Sequence, residues 1–193
     1  DNPYLHRRFL TLVFQQDLWW LVNVGTQLSA TVADTAGAVQ AWLAPGGRVP
    51  LVFAHTTVLF TAGPTTYEVN VHLSEPLFGE IGVGATTGQT TIGLTDFTES
   101  QKLVMLALAE PMLLRDGSGR SDVPTNTKAC ERLGWALTRF NRKLDNVCEK
   151  LSELGVRGLR GGPTKLASSR KARLVEYAMA ARVVTADDLD LLP

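Results

Sequence analysis

Residues 125–154 read TNTKACERLGWALTRFNRKLDNVCEKLSEL and determine the architecture of the second half of the chain. Thr125 is a suitable helix N-cap, because its hydroxyl can accept hydrogen bonds from the free backbone N–H groups of the segment that follows. Gly134 supplies the left-handed residue that ends this short helix, and Gly155 ends a longer second one. The second helix has apolar side chains every three or four residues, which predicts one buried stripe: Leu137, Phe140, Leu144, Val147, Cys148, Leu151 and Leu154.

The two predicted helices have helix-turn-helix spacing. A tight turn between crossing helices takes a small residue four positions before the turn glycine and an apolar residue six positions after it, here Cys130 and Phe140 around Gly134. Cysteine stands where alanine is usual, and the same shape also occurs in domains that bind only proteins. The second helix is the expected reader of nucleic acid, with outward side chains that suit phosphates and base edges: Thr138, Arg139, Asn141, Arg142, Lys143 and Asp145.

A basic hairpin is predicted after the reader helix. Residues 156–160 alternate like a short strand, residues 161–163 (GGP) form a turn, and residues 164–167 return as the partner strand. This hairpin is either a wing that contacts nucleic acid or one that only caps the core. The basic side chains expected around one groove-sized surface are Arg157, Arg160 and Lys165 on the hairpin and Arg170, Lys171 and Arg173 on the next helix.

Charge is segregated along the chain, although the formal net charge of its 193 residues is zero. Residues 1–98 contain three basic and seven acidic side chains, whereas residues 121–175 contain twelve basic and five acidic ones. Such a basic block favours a polyanionic partner, although charges on a helix are also typical of a solvated face. The sequence therefore predicts duplex DNA as a partner of the second half.

The first half has the pattern of an antiparallel β-sandwich or barrel. In the run 66–73, Tyr67 and Val69 alternate with polar residues, which predicts one face in a core and the other in water. Near residue 95 the hydrophobic period changes from two to about 3.6, with Thr95 or Thr98 as N-cap of a helix that Pro111 ends or kinks. We therefore expect an α+β protein with an all-β domain over 1–95 and a mainly helical domain over 96–193. The predicted strands are 9–14, 18–24, 28–32, 49–53, 56–60 and 66–73.

The composition excludes several classes of protein. With 45% hydrophobic and 20% charged residues, the chain is neither disordered nor collagen-like. Its two cysteines, Cys130 and Cys148, lie on apolar helix faces, which favours core packing in a reducing compartment over a disulfide scaffold or a metal site. No apolar run reaches the roughly 18 residues that a membrane span needs. We expect a cytoplasmic protein, and the start at Asp1 without methionine indicates a fragment or a processed chain.

No pattern in the sequence predicts an enzyme or a cofactor. The glycine-rich segment 82–88 (GVGATTG) has neither the spacing nor the lysine of a phosphate-binding loop. His6, His55 and His72 have no carboxylate or nucleophile at a recognisable spacing, and His72 is expected on an exposed strand face. The acidic residues near the C-terminus suit the start of a short helix that Thr185 can cap: Asp187, Asp188 and Asp190. We expect no catalytic residue, no cofactor and no metal ion.

The first half resembles a forkhead-associated domain without its opening strands, over roughly residues 1–75. Residues 1–9 (DNPYLHRRF) resemble the Ser-Arg-x-His loop of that family, residues 21–32 resemble its second loop, and residues 44–51 (APGGRVPL) fit its closing turn and strand. In that family these loops bind phosphothreonine peptides. The resemblance implies a partner-binding or phosphopeptide-binding edge at His6, Arg7, Thr26 and Leu28.

Several residues of this edge depart from the family pattern. His6 stands where the family has a phosphate-binding serine, although Arg7 keeps the arginine that follows it. Leu28-Ser29-Ala30 stand where Asn-Gly-Thr is expected, so the asparagine that holds the peptide is missing. A phosphothreonine dianion needs several charge-assisted donors. We therefore expect the sandwich to dock a protein partner mainly without phosphate, through an apolar loop rim formed by Leu28 and Phe9.

Residues 96–190 are similar to the winged helix-turn-helix modules of bacterial regulators. The pairing with a forkhead-associated domain resembles an actinobacterial arrangement. This resemblance implies a regulatory or signalling protein that docks a protein partner through its sandwich and binds DNA through its winged helix. One alternative is an adaptor in which both modules bind proteins, and another is an enzyme component whose catalytic part lies elsewhere.

Overall fold

The computed structural model describes residues 2–5, 8–78, 97–115, 119–159 and 167–193. It has an N-terminal region of two antiparallel β-sheets and a C-terminal helical region, which agrees with the predicted α+β class. The first seven strands are β1 (Leu10–Gln15), β2 (Leu18–Asn23), β3 (Ala30–Asp34), β4 (Gln40–Leu43), β5 (Arg48–Leu51), β6 (His55–Ala62) and β7 (Thr65–His72). The other elements are α1 (Glu99–Leu113), β8 (Gly119–Asp122), α2 (Asn126–Arg132), α3 (Leu137–Glu153), α4 (Ala167–Ala180) and a 3-10 helix (Ala186–Leu191).

The two sheets pack face to face around a shared core. One has the strand order β1-β2-β5, and the other has the order β4-β3-β6-β7-β8. Phe9 lies edge-on to Phe60, with their ring centroids 4.9 Å apart, and both side chains are buried. Leu21 and Leu51 of the smaller sheet and Val58 of the larger one belong to the same cluster.

The larger sheet extends into the second half of the sequence through β8. This strand pairs antiparallel with β7, and Arg120 lies opposite Tyr67. Its sequence, GRSD, has no apolar alternation, so the hydrophobic pattern did not predict a strand there. The division predicted near residue 95 lies outside the described residues, and β8 joins the two halves by hydrogen bonds.

The second face of the larger sheet is covered by helices. The prediction that the polar face of β7 lies in water is confirmed at His72, which is exposed, but it is wrong at Thr66, which is fully buried. Glu68 and Asn70 on the same face are half-buried. Helix α4 contacts β3 and β6, and Leu59 of β6 belongs to the helical core. Hydroxyl groups under the helix find polar partners, since Thr61 donates a 2.5 Å hydrogen bond to Glu176 of α4. The molecule thus has three layers, with the larger sheet in the middle.

Helix α1 forms the centre of the helical region. It begins with a capping box in which the Thr98 amide donates to the Gln101 side chain at 3.0 Å, so the prediction of Thr98 as N-cap is confirmed. All six residues of 104–109 are buried, because α3, α4 and the 3-10 helix surround this part of α1. Pro111 does not end the helix, which continues to Leu113. The Pro111 carbonyl accepts a 2.9 Å hydrogen bond from Ser121.

Candidate nucleic-acid interface

The predicted turn between α2 and α3 is confirmed. The Thr125 hydroxyl accepts from the Lys128 amide at 3.2 Å, and Gly134 has the left-handed φ of +63° that ends α2. The Trp135 amide then donates to the Cys130 carbonyl at 2.9 Å, which closes the turn. Phe140 is fully buried where α3 packs on the helical core. The sequence between Thr125 and Phe140 therefore fixes the start of α3.

The apolar stripe of α3 is shorter than predicted. Its middle five side chains are buried, but Leu137 and Leu154 at its two ends are 44% and 58% exposed. Both cysteines are buried and free, as predicted. Burial raises the pKa of the Cys148 thiol to about 11, which keeps it protonated at neutral pH.

The first two turns of α3 present an exposed basic surface. Residues 137–144 contain three basic side chains and no acidic one. Thr138, Arg139 and Arg142 are exposed, whereas Lys143 is half-buried. The Arg139 guanidinium carbon lies 3.9 Å from the centroid of the Trp135 ring, which holds the charge over the turn. We name this group of Thr138, Arg139, Arg142 and Lys143 the α3 basic surface.

Asn141, which was also predicted to face nucleic acid, makes a contact within the protein. It is half-buried, and its side-chain oxygen accepts a 2.7 Å hydrogen bond from Asn126. This bond ties the first turn of α2 to α3. The Asn141 oxygen is therefore occupied within the protein, and we do not include Asn141 in the α3 basic surface.

The basic residues of α4 point in different directions. Arg170 forms a 2.7 Å ion pair with Asp145 of α3, and Lys171 donates a 2.9 Å hydrogen bond to the Pro124 carbonyl. Burial and the neighbouring Arg170 charge lower the pKa of Lys171. Arg173 lies beneath the helix and pairs with Glu176 at 3.0 Å. The prediction that Arg173 joins the outer basic surface is therefore wrong, because its guanidinium lies between α4 and the sheet, where it contacts Glu176 and Thr31.

The predicted wing is not formed over residues 156–159, which make a turn and not a strand. Gly158 has a φ of +86°, and Leu159 is buried in the helical core, so the segment turns back onto the helices. Arg157 is exposed within this turn, with its guanidinium carbon 5.5 Å from the centroid of the Trp42 ring. Arg160 and Lys165, the other residues predicted for the wing, lie outside the described residues.

The predicted partner-binding edge of the sandwich is described in part. His6 and Arg7 lie outside the described residues, and Thr26 is exposed. Leu28 is half-buried against the sandwich core. Phe9 is only 5% exposed, so the prediction that it forms an apolar rim with Leu28 is wrong.

Asn23 is the residue of this loop that the sequence analysis missed. It is fully buried, and its side-chain amide donates to the carbonyls of Leu28 and Leu43 at 2.8 and 3.0 Å. Its side-chain oxygen accepts from the Gly25 amide at 3.0 Å. An asparagine at the end of a strand, two residues before a glycine, is typical of a side chain that bonds to its own loop. Asn23 therefore fixes the loop that carries Thr26.

The smaller sheet, and not the rim predicted at Phe9 and Leu28, carries a group of exposed apolar side chains. Phe14 and Trp19 face each other across the β1–β2 hairpin, with ring centroids 5.2 Å apart. They are 57% and 43% exposed, and neighbouring Leu12 is 46% exposed. We name Leu12, Phe14 and Trp19 the hairpin apolar patch. Exposed aromatic residues of this kind are enriched at protein interfaces.

The remaining sequence predictions concern metal ions, phosphate loops and membranes. Within the described ranges, no group of three or more His, Cys, Asp or Glu side chains converges on a point that could hold a metal ion. The glycine-rich segment 82–88 lies outside those ranges. None of the helices that the structure describes is both long and apolar enough to cross a bilayer.

No protein-family model, curated protein or solved structure matches this chain.

Proposed function

We propose that this chain is a regulatory protein of the bacterial cytoplasm that binds duplex DNA through α3 and docks a protein partner through its β-sandwich. The observation that carries the proposal is the α3 basic surface at the start of the second helix of a helix-turn-helix pair. Residues 137–144 contain three cations and no carboxylate. The cations supply contacts to phosphates, and Thr138 adds a hydroxyl donor.

The placement of this surface favours DNA over a merely solvated helix face. A charged helix face exposed only to water usually mixes both signs, and the second half of α3 does so with Asp145, Glu149, Lys150 and Glu153. The first half of α3 contains basic side chains and no acidic ones. The helix-turn-helix spacing of Cys130, Gly134 and Phe140 supports the same assignment. The mixed second half and the ion pair between Arg170 and Asp145 would then lie outside the contact with DNA.

Docking of a protein partner is supported by the hairpin apolar patch. Phe14 and Trp19 expose aromatic surface on a sheet whose other large side chains are mostly buried or half-buried, and such residues contribute strongly to interfaces. The same patch favours the second candidate function, an adaptor in which both halves bind proteins. The two candidates differ in one property, which is whether the α3 basic surface binds duplex DNA.

Three arginine variants of the full chain test this property, two on α3 and one matched control on the sandwich. Arg139 and Arg48 both stack on a tryptophan, with the guanidinium carbon of Arg48 4.7 Å from the Trp20 ring centroid. We expect Arg139→Ala and Arg142→Ala to weaken the binding of a fluorescent duplex at low salt, since each removes a phosphate contact. Arg48→Ala, on the sandwich, should leave it unchanged. Equal affinities of all three variants and the wild type would favour the adaptor.

A further inference from the structure

Two histidines that the sequence analysis treated separately lie side by side on the larger sheet. His55 begins β6 and His72 ends β7, and the two residues are register partners across the antiparallel pair. Their Nδ1 atoms are 2.6 Å apart, with ring centroids separated by 4.7 Å. Both side chains are exposed. Two imidazole nitrogens therefore converge at one accessible point.

The hairpin fixes the backbone that carries the two rings. Beyond the pair, the Leu73 amide donates to the Ala54 carbonyl at 2.9 Å, and the next pair on the same face, Thr57 and Asn70, is joined by a 2.8 Å hydrogen bond. The backbone is therefore fixed on both sides of His55 and His72. The freedom that remains to be lost when a ligand binds is therefore mainly the rotation of the two side chains.

We propose that His55 and His72 form a chelating site for a divalent transition-metal ion of the Cu²⁺ or Ni²⁺ type, with water or an outside ligand in the remaining positions. Imidazole nitrogen is a strong ligand for these ions. At 2.6 Å one ring donates an N–H to the other. When both Nδ1 atoms bind an ion, each neutral ring keeps its proton on Nε2, and two metal–nitrogen bonds replace that hydrogen bond.

Binding of an ion requires the two nitrogens to move apart. Two nitrogens about 2.05 Å from an ion lie about 2.9 Å apart at the right angle of a tetragonal or octahedral site, and about 3.3 Å apart at the tetrahedral angle. The hydrogen-bonded nitrogens are 2.6 Å apart, so a small rotation of the two exposed rings opens the pair to either distance. Because nitrogen sites generally bind Cu²⁺ more tightly than Zn²⁺, we expect the pair to prefer Cu²⁺.

Calorimetric titration of the full chain with Cu²⁺ tests the proposal, in a buffer with glycine to compete for weak sites. We expect one equivalent to bind, and about tenfold or greater loss of affinity in both His55→Gln and His72→Gln, because each leaves a single imidazole. The matched control is His6→Gln, which removes the third histidine and should change nothing. Cu²⁺ should also raise the melting temperature of the wild type but of neither pair variant.

Three results would overturn the proposal. One is an equal loss of Cu²⁺ affinity in all three variants, which would indicate adsorption without a defined site. Another is unchanged binding in both pair variants. The third is tighter binding of Zn²⁺ than of Cu²⁺, which would contradict the order expected for a site of two imidazoles. Both pair variants replace exposed side chains, and metal-free thermal melts that match the wild type will show that they are folded.

Discussion

Thr61 of the sandwich donates a 2.5 Å hydrogen bond to the carboxylate of Glu176, 115 positions later in the chain. Glu176 lies on α4 and is only 5% exposed. The same carboxylate accepts from Arg173, which also contacts Thr31 of β3. A buried ion pair surrounded by threonines thus connects the helical half of the molecule to the sheet.

This arrangement predicts a pH dependence of stability. Burial raises the pKa of Glu176 above its ordinary 4.5, against the opposing effects of Arg173 and the threonine hydroxyls. The folded state therefore holds the proton more tightly than the unfolded state, so the contribution of Glu176 to stability falls as the pH rises above 4.5 through the folded pKa. Glu176→Gln does not titrate, so its stability relative to the wild type should rise from about pH 4 to about pH 8.

Urea unfolding of both proteins across this range measures the difference. Glu149→Gln, which removes an exposed carboxylate from α3, is the control for the loss of one acidic group. A variant that instead becomes less stable relative to the wild type as the pH rises would show that the pKa of Glu176 is lowered on folding.

The turn between α2 and α3 predicts a large stability effect at Phe140. Phe140→Ala should lower the free energy of unfolding by about 3–5 kcal/mol, because it leaves a cavity where α3 packs on the helical core. Cys130→Ala should be milder, since it removes one sulfur from a residue that is 5% exposed. Leu137→Ala, on an exposed position of the same helix, is the matched control. An unchanged urea midpoint for Phe140→Ala would mean that this face of α3 is not in the core.

The sandwich is predicted to bind its partner without a preference for phosphothreonine. Leu28 packs against the core and has no side-chain hydrogen bond to offer a peptide backbone. Matched phosphorylated and unphosphorylated threonine peptides should therefore differ in affinity by less than about tenfold, or about 1.4 kcal/mol. A larger preference for the phosphorylated peptide that disappears in Arg7→Ala would contradict this prediction and show that the edge binds phosphate.

Local signals in the sequence predicted the helices well, and long-range pairing explains what was missed. Thr125 and Gly134 fix the ends of α2 through contacts within a few residues, so the two residue types are sufficient to predict where this helix begins and ends. By contrast, β8 has no strand pattern of its own, and it is extended because its backbone pairs with the edge strand β7. The turn at 156–159 depends on the burial of Leu159 in the helical core, whereas the pattern had suggested a strand.

The histidine pair could have been found from the sequence. The β6–β7 hairpin turns at Gly63 and Pro64, where Gly63 has a φ of +65°. Counting outward from this turn places His55 opposite His72. The burial of the polar face of β7 could not be found in this way, because it depends on how α4 packs against the sheet.

The proposal of DNA binding is tested most directly by the salt dependence of duplex affinity for the full chain. Fluorescence anisotropy titrations at about 50 and about 200 mM salt should show a steep loss of affinity, because bound cations release counterions from the phosphates. Arg142→Ala should reduce the slope of log K against log salt by about one, while Arg48→Ala should leave it unchanged. An affinity that does not depend on salt, or a slope that Arg142→Ala does not alter, would contradict the assignment of the α3 basic surface to DNA.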